Sequence, residues 1–309
     1  MMIRFIYNPK SGKIGKNKRL APLLREYVAA SQGSAELRAT EGPGHATVLA
    51  AEAAERGYDR VVAVGGDGTL NETAQALLHT STALGLIPCG SGNGLARHLH
   101  LPLGAEAALR LAVSEDAAVR VIDTGTANGK PFFNVMGLGL EAEVAWHFNQ
   151  LMRRGLATYV TTAWSAFRAR VPEVCTITDG HRRESTPIFL LCVANSDQWG
   201  NEARIAPGAQ VDDGQLDLVA VAPRGWLGAG EFAIRLFTGS VLRASGVRHW
   251  RGARFQIERA HPGIIHTDGE THALGAVIEI TVVPGSLRVL VPATEAHRAA
   301  QTSGFALQL

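Results

Sequence analysis

The chain has no Cys-x-x-Cys pair, no apolar run of membrane-spanning length, no lysine-closed phosphate loop and no marked excess of one charge, and each absence removes a class of function. Cys89, Cys175 and Cys192 are odd in number and widely spaced, which excludes a disulfide framework or a zinc ribbon and predicts reduced cytoplasmic thiols. No stretch approaches the roughly 18 consecutive apolar residues that a spanning helix needs, so any membrane contact is expected to be peripheral. With 30 basic against 28 acidic residues and a net charge of +2, no basic face argues for nucleic acid. Among 11 histidines no pair has the helical spacing of metal ligands, and none is assigned a role.

What is present suits two folded domains. The chain has 309 residues, 46% apolar and 19% charged, a globular composition long enough for two units of roughly 100–200 residues. It opens on Ile3–Tyr7, read as a first strand rather than a signal peptide. Up to about residue 120, apolar runs alternate with helix-like stretches: Ile3–Tyr7, Asn17–Gln32, Ala35–Ala39, His45–Arg56, Arg60–Val64, Leu70–Leu78 and Leu84–Ile87. This βαβα order predicts a doubly wound, mostly parallel sheet over residues 1–122. From about Val119 the pattern turns to short segments separated by Asn128-Gly129, Asp179-Gly180, Asp213-Gly214 and Asp268-Gly269, as expected of an antiparallel, strand-rich domain over 123–292. A helical insertion is expected from Glu141 to about Arg170, and the tail 293–309 is expected to pack back on the first domain.

Three loops in the first domain carry the chemistry. Gly65-Gly66-Asp67-Gly68-Thr69 follows a buried strand and opens a helix at Leu70-Asn71-Glu72. Adjacent glycines let a backbone approach a phosphate while a helix N-terminus faces it, although two glycines by themselves equally suit a tight strand-to-helix turn. Neither the P-loop nor the dinucleotide spacing is present. A carboxylate, Asp67, beside phosphate oxygens calls for an intervening cation, which suggests Mg²⁺. The second loop, Pro88–Arg97, also follows a strand and contains Gly90-Ser91-Gly92-Asn93-Gly94. The third, Asn8-Pro9-Lys10-Ser11-Gly12, follows the first strand. In a parallel sheet all three fall on one edge and can converge on one ligand.

Taken together and in order, Asn8–Gly12, Gly65–Glu72 and Pro88–Arg97 resemble the catalytic family of soluble diacylglycerol kinases, which includes sphingosine and ceramide kinases and other bacterial lipid kinases. Val211–Leu218 and Thr267–Glu270 match two further signatures of that family. The resemblance implies an NAD-kinase-like α/β nucleotide domain, a C-terminal β-sandwich, and an active site in the cleft between them. It implies ATP contacts from Asn8, Pro9, Lys10, Ser11, Gly12, Thr40, Gly65, Gly66, Asp67, Gly68, Thr69, Leu70, Asn71, Glu72 and Ser91. It implies Mg²⁺ held by Asp213 with the carbonyls of Gln210 and Gln215, although Asp213-Gly214 also reads as a plain hairpin turn. Glu270 is expected to be the catalytic base, with Asp268 close behind and Asp67 a catalytic group in the first domain.

The expected partners are a lipid substrate at a membrane surface and a second copy in a homodimer, for a cytoplasmic, peripherally membrane-associated enzyme that binds no nucleic acid. Trp146, Phe148, Tyr159, Trp164 and Phe167, mixed with arginines, offer one segment for an interface or a core. Many bacterial diacylglycerol kinases carry Gly-Thr-x-Asn-Asp where this chain has Gly90-Ser91-Gly92-Asn93-Gly94, a form closer to sphingosine and ceramide kinases. The lipid is therefore left open. An NAD kinase, or a non-catalytic regulator of the same fold, are the other readings.

Overall fold

The computed structural model describes residues 1–11, 14–140, 142–143 and 172–295. The chain forms two compact units, Met1–Ile122 with Gly285–Leu309, and Asp123–Pro284. The helical insertion expected from Glu141 to Arg170, its aromatic residues, Gly12, and most of the tail 293–309 lie outside the described residues.

In the first unit, strands β1 (Ile3–Tyr7), β2 (Ala35–Ala39), β3 (Arg60–Gly65) and β4 (Ala83–Pro88) run parallel in the order β2-β1-β3-β4. The chain re-enters this unit at Gly285, earlier than residue 293, and Val289 pairs parallel with Leu84. All six residues of β3 are buried, because side chains on its two faces alternate and both faces are covered. Val62 and Val64, with Ile3, Phe5 and Ile87, meet Leu20 and Leu24 of α1 (Ile14–Ala30) and Ala108, Leu109 and Ala112 of α5 (Ala105–Val113). On the opposite parity, Arg4 donates to the Leu49 carbonyl of α2 (His45–Glu55) at 2.8 Å. Its guanidinium also pairs with Glu36 and Glu52 and lies over the Tyr58 ring.

The helix after β3, α3 (Asp67–Leu77), begins three residues before the expected Leu70. Gly66, extended at φ −91° and ψ −172°, is its N-cap, so the glycine loop is itself the first helical turn. Short α4 (Gly94–His98) follows the Pro88 loop. Helix α5 was not anticipated, although its Ala-Glu-Ala-Ala-Leu-Arg-Leu-Ala run consists of strong helix formers.

The second unit is an antiparallel β-sandwich. One sheet runs β14 (Val247–Gly252), β13 (Leu216–Val221), β10 (Leu190–Ala194), β7 (Val135–Gly139), β16 (Gly263–Thr267), β17 (Glu270–Leu274). The facing layer contains β15 (Arg254–Arg259), β8 (Glu173–Thr178), β9 (Arg183–Ile188) and the first part of β18 (Val277–Val291), and β5 (Ala118–Ala127), β6 (Lys130–Phe132), β11 (Gln198–Gly200) and β12 (Ala203–Arg204) are the other strands among the described residues. Leu191, Val193, Leu218 and Ile265 meet Ile177, Phe255, Ile257 and Ile278 in the core. Each such side chain contributes roughly 1.5–3 kcal/mol on full burial. The other face of β10 and β13, with Cys192 and Val219, is covered by Leu236 and Phe232 of α6 (Trp226–Phe237), a helix the sequence reading did not mark. Two-residue turns at Asn128-Gly129 and Asp268-Gly269 have positive φ at both positions, the geometry that favours Asn-Gly and Asp-Gly.

Candidate functional site

The parallel sheet brings the three loops of the first unit to one edge, and hydrogen bonds join them. Asn8 Nδ2 donates to Thr69 Oγ1 at 3.2 Å, and Gly66 N donates to Ser11 Oγ at 3.4 Å. Asn93 N donates to the Asp67 carboxylate at 3.2 Å. Cys89 N donates to Gly65 O at 2.7 Å. An added Cβ on Gly66 would lie 3.4 Å from Gly90 Cα, so the Gly65–Thr69 and Pro88–Arg97 loops touch through glycine backbone.

The start of α3 leaves amides outside the helical ladder. The first intrahelical bond of α3 is Leu70 N to Gly66 O, so the amides of Gly68 and Thr69 stand ahead of the helical ladder, where they suit an anion, while the amide of Asp67 bonds its own carboxylate. Gly68 and Ser91 are exposed, as are Pro9 and Lys10. Asn71 is 3% exposed, yet its Oδ1 has no partner, an orphaned acceptor at the foot of the loop that a nucleotide hydroxyl or amine would satisfy. The donor set therefore fits a nucleoside polyphosphate.

Three of the expected nucleotide residues have structural work of their own. Asp67 ties the Pro88–Arg97 loop, and burial pushes its carboxyl above the usual range while the amides of Asn93 and Gly94 and the charge of Arg97 oppose that shift. Glu72 turns away: its carboxylate accepts from Ala46 N at 3.1 Å and its carbonyl from Thr47 Oγ1 at 2.9 Å, so it caps α2. Thr40 is held through its backbone, Thr40 N donating to Tyr7 O at 2.9 Å. Arg97, to which the sequence reading gave no role, donates from Nε to Gly92 O at 3.1 Å and adds positive charge beside Asp67. Its position just after the Gly-Ser-Gly-Asn-Gly run was the available signal.

In the second unit the two acids of the Asp268-Gly269-Glu270 turn differ. The Asp268 carboxylate accepts three backbone amides, Phe133 N at 2.7 Å, Val135 N at 2.9 Å and Asn134 N at 3.0 Å. Burial still raises its carboxyl to about 6, against those three bonds. Glu270 is exposed at the start of β17. Two histidines brace the turn: Gly269 N donates to His266 Nδ1 at 3.2 Å, and His272 Nε2 lies 2.8 Å from Thr267 Oγ1. Burial lowers the pKa of His272.

Around Asp213, oxygen donors dominate. Asp213 Oδ1 accepts from Gln215 N at 3.0 Å, and Asp123 Oδ2 from Gly214 N at 2.7 Å. Arg251 pairs with the other Asp213 oxygen and lies 3.9 Å from Asp217, which His249 contacts at 2.6 Å. Burial, then the charges of Asp217 and Asp123, raise the Asp213 carboxyl, with Arg251 opposing. These oxygens suit Mg²⁺ by type, but Arg251 holds the one an ion would take. Among the described residues no group of three or more His, Cys, Asp or Glu is arranged to hold a metal. Asp123 follows an apolar strand residue without a motif, and Asp217, although inside the Val211–Leu218 signature, was given no role of its own.

Comparison with known proteins gives a consistent result. Residues 2–146 match the diacylglycerol kinase catalytic domain, and residues 134–291 match the YegS C-terminal NAD kinase beta sandwich-like domain. The "Probable lipid kinase YegS-like" protein of Pseudomonas aeruginosa is 32% identical over 87% of this chain and 90% of its own length. The "Diacylglycerol kinase" of Bacillus subtilis is 30% identical over 86% and 89%. Among solved structures, a diacylglycerol kinase from Bacillus anthracis has a TM-score of 0.70 at 21% identity, covering 94% of this chain and 96% of its own. An NAD kinase from Archaeoglobus fulgidus in complex with ATP has a TM-score of 0.58 at 14% identity, with 95% of both chains covered. The last two speak for the fold alone.

Proposed function

Since the chain belongs to the diacylglycerol kinase catalytic family of lipid kinases, we propose that it transfers the terminal phosphoryl group of ATP to a lipid hydroxyl, of diacylglycerol or of a sphingoid-type lipid, with Mg²⁺. The observation that carries this reading is the bonding of three loops around the N-terminus of α3: Asn8 to Thr69, Ser11 to Gly66, and Asp67 to Asn93. Phosphoryl transfer needs mainly positioning and charge neutralisation, and a fixed set of backbone amides with Lys10 and Arg97 nearby supplies both. Asp67 anchors the loops, and Mg²⁺ accompanies the nucleotide. A second Mg²⁺ at the Asp213 loop would have to displace Arg251 from the carboxylate.

Of the two acids in the second unit, Glu270 is the base. A general base must reach the proton it removes, and Glu270 is exposed. The oxygens of Asp268 are spent on the amides of residues 133–135, so Asp268 sets the turn from which Glu270 projects. NAD as acceptor is the second reading, favoured only by the shared fold.

The test is incubation with labelled ATP and Mg²⁺ against diacylglycerol, monoacylglycerol, sphingosine, ceramide and NAD. Label on a lipid and none on NAD is the expected result. Label on NAD alone, or on nothing, overturns the proposal.

A further inference from the structure

Helix α6 (Trp226–Phe237) is apolar on more of its circumference than the described residues cover. Phe232 and Leu236 pack against the β10–β13 face. Leu227, Ile234 and Phe237 are 93%, 68% and 60% exposed, and at 100° per residue they fall, with Gly230 and Ala233, on one continuous outer arc. That arc holds no charged residue. An apolar arc of this kind on a soluble surface marks a contact with something else.

The charge of the segment that carries the helix identifies the occupant. Between Ala222 and Val247 the charged residues are Arg224, Arg235 and Arg243 against Glu231, which is three positive and one negative, in a chain whose whole net charge is only +2. The one acid is neutralised by Arg235 at 2.8 Å and Arg224 at 3.7 Å. An apolar face on a segment of net positive charge is the make-up of a helix that lies in the interface of an anionic bilayer. A twelve-residue helix is about 18 Å long, and a face about 10 Å wide gives far less than the roughly 800 Å² per partner that a stable protein interface buries. A bilayer has no such threshold.

We propose that the outer face of α6 docks the protein on anionic lipid membranes, with Leu227, Ile234 and Phe237 entering the interface and Arg224, Arg235 and Arg243 meeting the headgroups. The inference rests on the lipid-kinase reading for its purpose, since a water-soluble kinase must meet a substrate that stays in a bilayer, but the surface stands on its own observations.

The experiment is co-sedimentation of the full chain with phosphatidylcholine vesicles with and without phosphatidylglycerol, in low and high salt. The wild type is expected to bind the anionic vesicles, less so in high salt. The triple variant L227E/I234E/F237E should bind at least about tenfold more weakly and keep its activity on detergent-dispersed diacylglycerol. L227S/I234S/F237S provides the same comparison without new charge should the first variant melt early. V48E, at an exposed apolar site on α2 (62% exposed), should bind as the wild type does. Equal vesicle binding by wild type and triple variants overturns the proposal, as does absence of wild-type binding alongside kinase activity on dispersed lipid. Unchanged vesicle binding with a shift from dimer to monomer would assign the face to a second copy and also overturn it. If the variants lose binding while the wild type phosphorylates no lipid, the docking surface stands and the kinase reading falls.

Discussion

The Asp67 carboxylate accepts a hydrogen bond from Asn93 N at 3.2 Å, so an acid from the Gly65–Thr69 loop holds the backbone of the Pro88–Arg97 loop. An acid that sequence reasoning assigned to cation binding thus shapes the phosphate-facing edge by fixing one glycine loop to another.

Asp67→Ala removes that anchor and should raise the KM for ATP about tenfold, equivalent to the loss of one charge-assisted hydrogen bond of roughly 1.5–3 kcal/mol. Asp67→Asn keeps an acceptor for Asn93 N and should recover part of the affinity. Steady-state kinetics decide the matter: an Asn variant as impaired as the Ala variant would mean that the charge, and not the tether, is what counts.

Gly65→Ala should be damaging where Gly66→Ala is mild. A Cβ on Gly65 would overlap Thr69 Oγ1, inside the first turn of α3, at a cost of about 1–3 kcal/mol. On Gly66 it would meet Gly90 Cα at 3.4 Å. Urea denaturation with and without ATP should show Gly65→Ala losing both stability and the ATP-induced shift. The larger Gly66→Val should lose ATP binding while the fold persists.

Glu270→Gln should lower kcat by about 10²–10⁴-fold, the usual contribution of a general base, with an unchanged melting temperature. Asp268→Asn should do the reverse, since it sets an NH₂ group against backbone amides and should cost about 1–3 kcal/mol of stability. Residual Asp268→Asn activity should keep the wild-type pH profile. A profile that loses its acidic limb in Asp268→Asn and keeps it in Glu270→Gln would reverse the two roles.

Stability should also report Asp268 directly. Its carboxyl is raised from 3.8 to about 6 in the folded chain, chiefly by burial. Between those values the unfolded chain binds fewer protons than the folded one, so this group makes stability fall as pH rises from 3.8 to about 6 and adds no further slope above. Urea midpoints measured across that window should show a downward component that Asp268→Asn lacks.

Mg²⁺ should raise the melting temperature of the wild type without nucleotide if the Asp213 loop takes an ion, and a chelator should reverse the gain. Asp213→Asn should abolish the Mg²⁺ effect. An equal rise in wild type and variant would place the ion elsewhere.

The strands and loops of the first unit were legible in the sequence because they rest on local chemistry. Arg60–Val64 reads as a strand buried on both faces and is one. The paired glycines after it mark a close backbone approach, and Asp268-Gly269 marks a two-residue turn with positive φ. The start of α3 was misplaced by three residues, because Asp67-Gly68 has poor helix propensity and is helical here through its position between β3 and the Pro88–Arg97 loop. Helix α6 went unseen because its apolar stripe competes with the strand-like runs around it.

Which residue types stand after each strand can be read from the chain alone, since turn chemistry and strand periodicity act over a few neighbouring residues. What each acid does depends on the folded chain. Asp67, Glu72 and Asp268 look alike as carboxylates in motifs, yet their partners are the amides of residues 93, 46 and 133–135, all remote in the chain. A carboxylate's role depends on whether folding buries it against donors or leaves it exposed, as Glu270 is, and that is settled by contacts between segments that the local sequence does not encode.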